Sequence, residues 1–94
     1  MVGYTFEWDP EKGDANFQKH GVSFDEASTV FGDPLSLLMP DPDHSADEER
    51  YLVLRMSAHQ KLLVVAFAER SPNTRLISAR RATRAERKRY EEET

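Results

Sequence analysis

The sequence predicts an α+β fold, with an N-terminal strand and two helices packed on an antiparallel sheet and a further helix at the C-terminal end. Two observations carry this. Helix-start signals stand close together early in the chain, Asp9-Pro10 and then Ser23 with Glu26, whereas the second half holds three strand-like runs at hairpin spacing, Arg50–Ser57, Leu62–Glu69 and Thr74–Arg80. The last run hands over to Thr83 and Glu86, a third start signal. At 94 residues the chain is expected to form a single domain over 1–94.

The elements follow in order. Tyr4, Phe6 and Trp8 alternate with Thr5 and Glu7, a short strand. Asp9 is an N-cap followed by proline at the first helical position, so a helix should run from Pro10 to about His20 and end at Gly21. Gly13 weakens it by about 1 kcal/mol relative to alanine, and Ala15 and Phe17 are its apolar content, so tertiary packing has to hold it. Ser23 and Glu26 form a capping box, and Phe24, Ala27, Val30 and Phe31 make one apolar stripe of a helix ending at Gly32. Asp33-Pro34 turns the chain into a short strand, Leu35–Met39. Pro40–Glu49 reads as an exposed loop, and its Asp41, Asp43, His44, Asp47 and Glu48 have no metal-ligand spacing.

Arg50–Ser57 alternates, Leu62–Glu69 is nearly continuous in apolar residues as a central strand needs, and Ala58–Lys61 is the turn between them. Ser71-Pro72-Asn73 turns into Thr74–Arg80, where period two puts Arg75, Ile77 and Ala79 on one face and Leu76, Ser78 and Arg80 on the other. Thr83 then caps a helix from Arg84 to about Glu92.

Charge divides along the chain. Arg70–Thr94 holds eight Lys/Arg against four Asp/Glu, a local +4, and Met1–Glu69 carries −8, together the net −4. A concentrated basic patch can hold a polyanion despite an acidic remainder, although a charge run at a chain end is commonly a solvated helix face. Ser78, Arg80, Arg81, Arg84, Arg87 and Arg89 gather hydroxyl and cationic groups at the strand-to-helix junction, chemistry that suits a phosphate. Lys19 and His20 sit in the last turn of the first predicted helix, where the macrodipole favours cations. There is no cysteine, so thiolate metal sites and disulfides are excluded; with no apolar run long enough for a bilayer, a cytoplasmic protein is expected, without metal or cofactor.

Phe6-Glu7-Trp8-Asp9-Pro10, Asn16, Lys19-His20-Gly21-Val22-Ser23-Phe24 and Ala27 together resemble the start of the BrnT family of type II toxins. Arg70, Ile77-Ser78-Ala79-Arg80-Arg81-Ala82, Glu86-Arg87 and Tyr90 resemble its other half, with Asp33-Pro34, His44-Ser45 and Glu49-Arg50 in order between. One departure is visible: the family usually has glycines around its central hairpin, and Met56–Lys61 has none.

The resemblance implies a fold like the RelE and ParE toxins and metal-independent ribonuclease activity. It also implies a BrnA-like antitoxin that neutralises the toxin and provides the contact with DNA. Cleaving RNA through its own 2′-hydroxyl needs a base, cations for the charge on phosphorus and an acid for the leaving oxygen. The candidate catalytic residues are His20, Arg70, Arg80 and Arg81, with Lys19, Arg75, Ser78, Arg84 and Arg87 as RNA-binding candidates. Arg80 and Arg81 are adjacent on a strand and face opposite sides, so one is expected to meet phosphate while the other pairs with a carboxylate or caps a helix. Tyr90, Glu49 and Arg50 read as structural. Two other functions fit the same residues: a non-catalytic module that docks its basic helix on an acidic partner or nucleic acid, and a ParE-like topoisomerase inhibitor.

Overall fold

In the computed structural model the strand formed by Leu62–Arg70, β4, lies at the centre, and every residue from Leu62 to Ala68 is buried. The structure describes residues 5–32, 37–40, 50–70 and 72–93; Tyr4, the Asp33-Pro34 turn, Leu35, the acidic loop from Asp41 to Glu49, and Ser71 fall outside them. The described elements are β1 (Thr5–Glu7), α1 (Pro10–His20), α2 (Phe24–Ser28), a 3-10 turn (Thr29–Gly32), β2 (Leu37–Pro40), β3 (Arg50–Met56), β4, β5 (Asn73–Arg81) and α3 (Arg84–Glu93).

The five strands are ordered β1-β5-β4-β3-β2. Antiparallel pairing holds from β2 through β5, as expected, but β1 joins the outer edge of β5 in parallel, so the sheet is mixed. A continuously apolar strand is buried on both faces. Leu63, Val65 and Phe67 point into the larger core with Val22, Phe24, Ala27, Val30, Leu76 and Ala79 from α2, β5 and their flanks, while Leu62 and Val64 meet Leu54 and Tyr90 beneath α3. Tyr90 is therefore a packing residue, as its helical position suggests.

The helix signals are satisfied locally. Asp9 accepts from the Glu11 amide at 2.9 Å, Gly21 closes α1 at φ 71°, and Ser23 Oγ accepts from the Glu26 amide at 3.0 Å. The second helix tightens at Thr29 into a 3-10 turn instead of running on to Phe31, with Thr29 Oγ1 donating to the Glu26 carbonyl at 2.6 Å. Gly13 has a packing reason: a Cβ there would lie 3.3 Å from Trp8 Cδ1, so its absence lets α1 sit against the indole.

The glycine-free hairpin closes by side-chain chemistry. Ser57 Oγ accepts from the His59 and Lys61 amides, both at 3.2 Å, and donates to Glu26 Oε2 at 2.8 Å, while Gln60 takes the left-handed conformation at φ 61°. A serine and a left-handed glutamine thus do what glycine does elsewhere.

β5 breaks the period-two expectation. Ala66 pairs with Ser78 and Phe67 with Leu76, leaving Ile77 as the extra residue of a bulge. Leu76 and Ala79 therefore share the core face, and Arg75, Ser78 and Arg80, paired with Ala68, Ala66 and Val64, share the face toward α3. The predicted grouping of Arg75 with Ile77 and Ala79 is corrected by that one inserted residue.

Candidate functional site

The bulge and the handover from β5 to α3 place the cationic side chains. Arg80 reaches Glu86 with both ends of its guanidinium, Nη1 to Oε1 at 2.8 Å and Nη2 to Oε2 at 2.9 Å. Glu86 Oε1 also accepts from the Thr83 amide at 2.8 Å, and Thr83 Oγ1 accepts from the Glu86 amide at 3.2 Å. The capping box is formed, and its carboxylate is held by a fork. Arg80 first, with the Thr83 amide helping, pulls the Glu86 carboxyl from its ordinary 4.5 to about 2.

Arg81 stands opposite Leu63, whose side chain belongs to the core under α1 and α2, so it faces that side and is exposed there. The two adjacent arginines thus divide as alternation requires, with Arg80 on a carboxylate. Asn16 holds α1 to the outer edge of β5: Nδ2 donates to the Ala79 carbonyl at 2.9 Å, and Oδ1 accepts from the Ala79 amide at 3.1 Å. This amide completes the strand edge where β1 has ended. His20 is half-buried one helical turn further along, with Lys19 exposed beside it.

Arg70 lies elsewhere. It pairs with Asn73 while Arg80 pairs with Val64, six residues back along β4, a separation of about 20 Å. The four candidate catalytic residues therefore do not form one cluster. Arg70 instead joins Lys12, Arg50 and Arg75 in lining a recess of about 170 Å³, with Leu76 and Ile77. Arg75 is partly neutralised by Glu7, Nη1 to Oε2 at 2.9 Å, and the Asn73 amide and then Arg75 hold the Glu7 carboxyl below its usual range. Ser78 sits half-buried on the same sheet face, and Arg84 and Arg87 are exposed on α3. Lys12 and Arg50 were not among the sequence candidates. Arg50 could have been found from strand parity with Arg70, since both are on the α3 face, but Lys12 arrives only through the packing of α1.

Among the described residues no three His, Asp or Glu side chains converge as metal ligands would, and no helix is long and apolar enough to cross a membrane. The class defined by this geometry is a small α+β protein with an arginine-bearing sheet face bounded by a capped C-terminal helix. The pattern of the family described as ribonuclease toxin BrnT of type II toxin-antitoxin systems matches residues 8–86, and the chain belongs to that family. Its fold is similar to the crystal structure of the Brucella abortus ribonuclease toxin BrnT, with a TM-score of 0.67 at 21% identity over 87% of this chain and 100% of that one. No curated protein matches the sequence.

Proposed function

We propose that this toxin cleaves RNA without a metal ion, that the cleavage blocks translation, and that a BrnA-like antitoxin neutralises it. The observation that carries the reading is the arginine placement of a ribonuclease-toxin family member: Arg81 exposed at the end of β5, and Lys12, Arg50, Arg70 and Arg75 ringing a recess farther along the same sheet. Guanidinium groups provide the charge neutralisation that phosphoryl transfer demands, the task a divalent cation performs in other nucleases.

In this reading the 2′-hydroxyl attacks phosphorus, the P–O5′ bond breaks, and the cyclic phosphate and a 5′-hydroxyl result. Arg81 holds the non-bridging oxygens as charge builds there. His20 moves a proton, since imidazole is the side chain that ordinarily titrates nearest neutral pH. Arg80, fixed by Glu86, shapes the junction, and the recess takes a more distant phosphate of the same strand. Lys19 adds a cation beside His20, while Ser78, Arg84 and Arg87 add polar and cationic groups on the α3 side. An acidic, amphipathic antitoxin segment laid over β5 and α3 would compete for the same cations.

The test is purified protein with naked RNA in EDTA. Cleavage there with cyclic-phosphate ends is expected. Cleavage that vanishes with EDTA and returns with a divalent ion overturns metal independence, and none under either condition favours the binding module or the topoisomerase inhibitor.

A further inference from the structure

A second concave surface lies between α1 and α2, away from the α3 face. Its volume is about 470 Å³, within the range of ligand-sized pockets. Trp8 and Phe24 meet edge to face at 5.9 Å and 85° in its wall, and Phe17, 55% exposed, stands at its mouth. Two exposed carboxylates, Asp14 and Asp25, complete the lining, and among the described residues neither side chain makes a hydrogen bond or ion pair. The lining of this groove holds no lysine or arginine.

We propose that this groove docks a cationic segment of a partner protein, one apolar side chain seated against Trp8 and Phe17 and a flanking arginine or lysine paired with Asp14 or Asp25. Charge complementarity selects this occupant. A guanidinium satisfies both halves of the surface, its plane stacking on an aromatic ring and its fork meeting a carboxylate. RNA is disfavoured, because placing a phosphodiester strand beside two unneutralised carboxylates opposes the electrostatics that drive its binding. A second copy of this chain is disfavoured too: the groove lining holds no cation, so two grooves face to face would set Asp14 and Asp25 against their own copies. The groove shares no residue with the ribonuclease site, so the inference stands or falls independently of that reading.

Trp8 is the sole tryptophan of the chain, so its fluorescence reports the groove directly. The full protein is titrated with a short end-capped peptide carrying one phenylalanine between arginines, with the same peptide bearing glutamates for arginines, and with single-stranded oligouridylate. The expected result is a saturable Trp8 change with the cationic peptide alone, weakened by added salt. Phe17→Ser, and separately the Asp14→Asn, Asp25→Asn pair, should each weaken binding at least about tenfold with unchanged melting curves, since these side chains are exposed. No saturable change up to about millimolar cationic peptide overturns the proposal. So does an equal response to the acidic peptide or the RNA, binding indifferent to those substitutions, or self-association that removes Phe17 from solvent.

Discussion

Arg80 and Glu86 are joined at two points, 2.8 and 2.9 Å, across the turn between β5 and α3. α3 has no buried residue of its own, and this fork, the Ala82 amide bonded to the Leu62 carbonyl at 2.9 Å, and Tyr90 on the sheet help fix its orientation. An arginine that could have faced a phosphate is instead occupied in positioning the helix whose outer side carries Arg84 and Arg87.

A pH dependence follows. Glu86 is held ionised in the folded state at about 2 and ordinarily titrates near 4.5, so its contribution is complete above that ordinary value and is lost as pH falls from about 4.5 toward 2. After solvent screening of a partly exposed pair, about 1 kcal/mol is expected. Denaturant midpoints between pH 5 and 2 should fall less steeply in Glu86→Gln, which lacks this carboxylate while keeping the others.

Asn16 makes a sharper stability prediction. Its side chain, 8% exposed, serves the Ala79 amide and carbonyl and also donates to the Val22 carbonyl at 2.9 Å. Asn16→Ala leaves these groups unsatisfied and should cost about 2–3 kcal/mol in urea unfolding. Asn16→Asp should be no better, because a carboxylate would face two carbonyl oxygens it cannot bond.

How much of this was legible divides by range along the chain. Ser23 with Glu26 and Thr83 with Glu86 announced helix starts because a cap is satisfied within three residues, and the unbroken run Leu62–Ala68 announced a central strand. The bulge at Ile77 did not show, since nothing in its own residue type separates an extra residue from an alternating one; the mismatch arises only when Phe67 and Leu76 pair across the sheet. Gly13 looked like a weakness because its neighbour Trp8 is fixed by tertiary packing. The recess is invisible in the sequence for the same reason: Lys12, Arg50, Arg70 and Arg75 come from four separate elements.

Those four cations should act on affinity. Removing Arg50, Arg70 or Lys12 singly to alanine should weaken binding to single-stranded RNA and reduce the salt-dependence slope by about 0.7 for each phosphate no longer neutralised, with saturated cleavage rates little changed. Arg75→Ala should do less than Arg50→Ala or Lys12→Ala, because Glu7 already partly neutralises that guanidinium. Filter binding across a salt series reads both quantities, and unchanged slopes would place RNA elsewhere.

The division between Arg80 and Arg81 gives the decisive kinetic comparison. Arg81 is exposed and, among the described residues, has no carboxylate partner, so Arg81→Ala should leave the melting curve intact. If its guanidinium meets charge that develops only in the transition state, the cleavage rate should fall on the order of 10² to 10³. Arg81→Lys should rescue poorly where two phosphoryl oxygens are held at once, because an ammonium lacks the planar fork. Arg80→Ala should lower stability as well as rate, since Glu86 then loses its partner and α3 its anchor. His20→Ala should cost roughly 10² to 10⁴ in rate if the imidazole moves a proton, and far less if it only complements the end of α1. Single-turnover cleavage by folded variants measures all of these, and near-normal rates in both Arg81→Ala and His20→Ala would move the chemistry away from this corner and leave the arginine face as a docking surface.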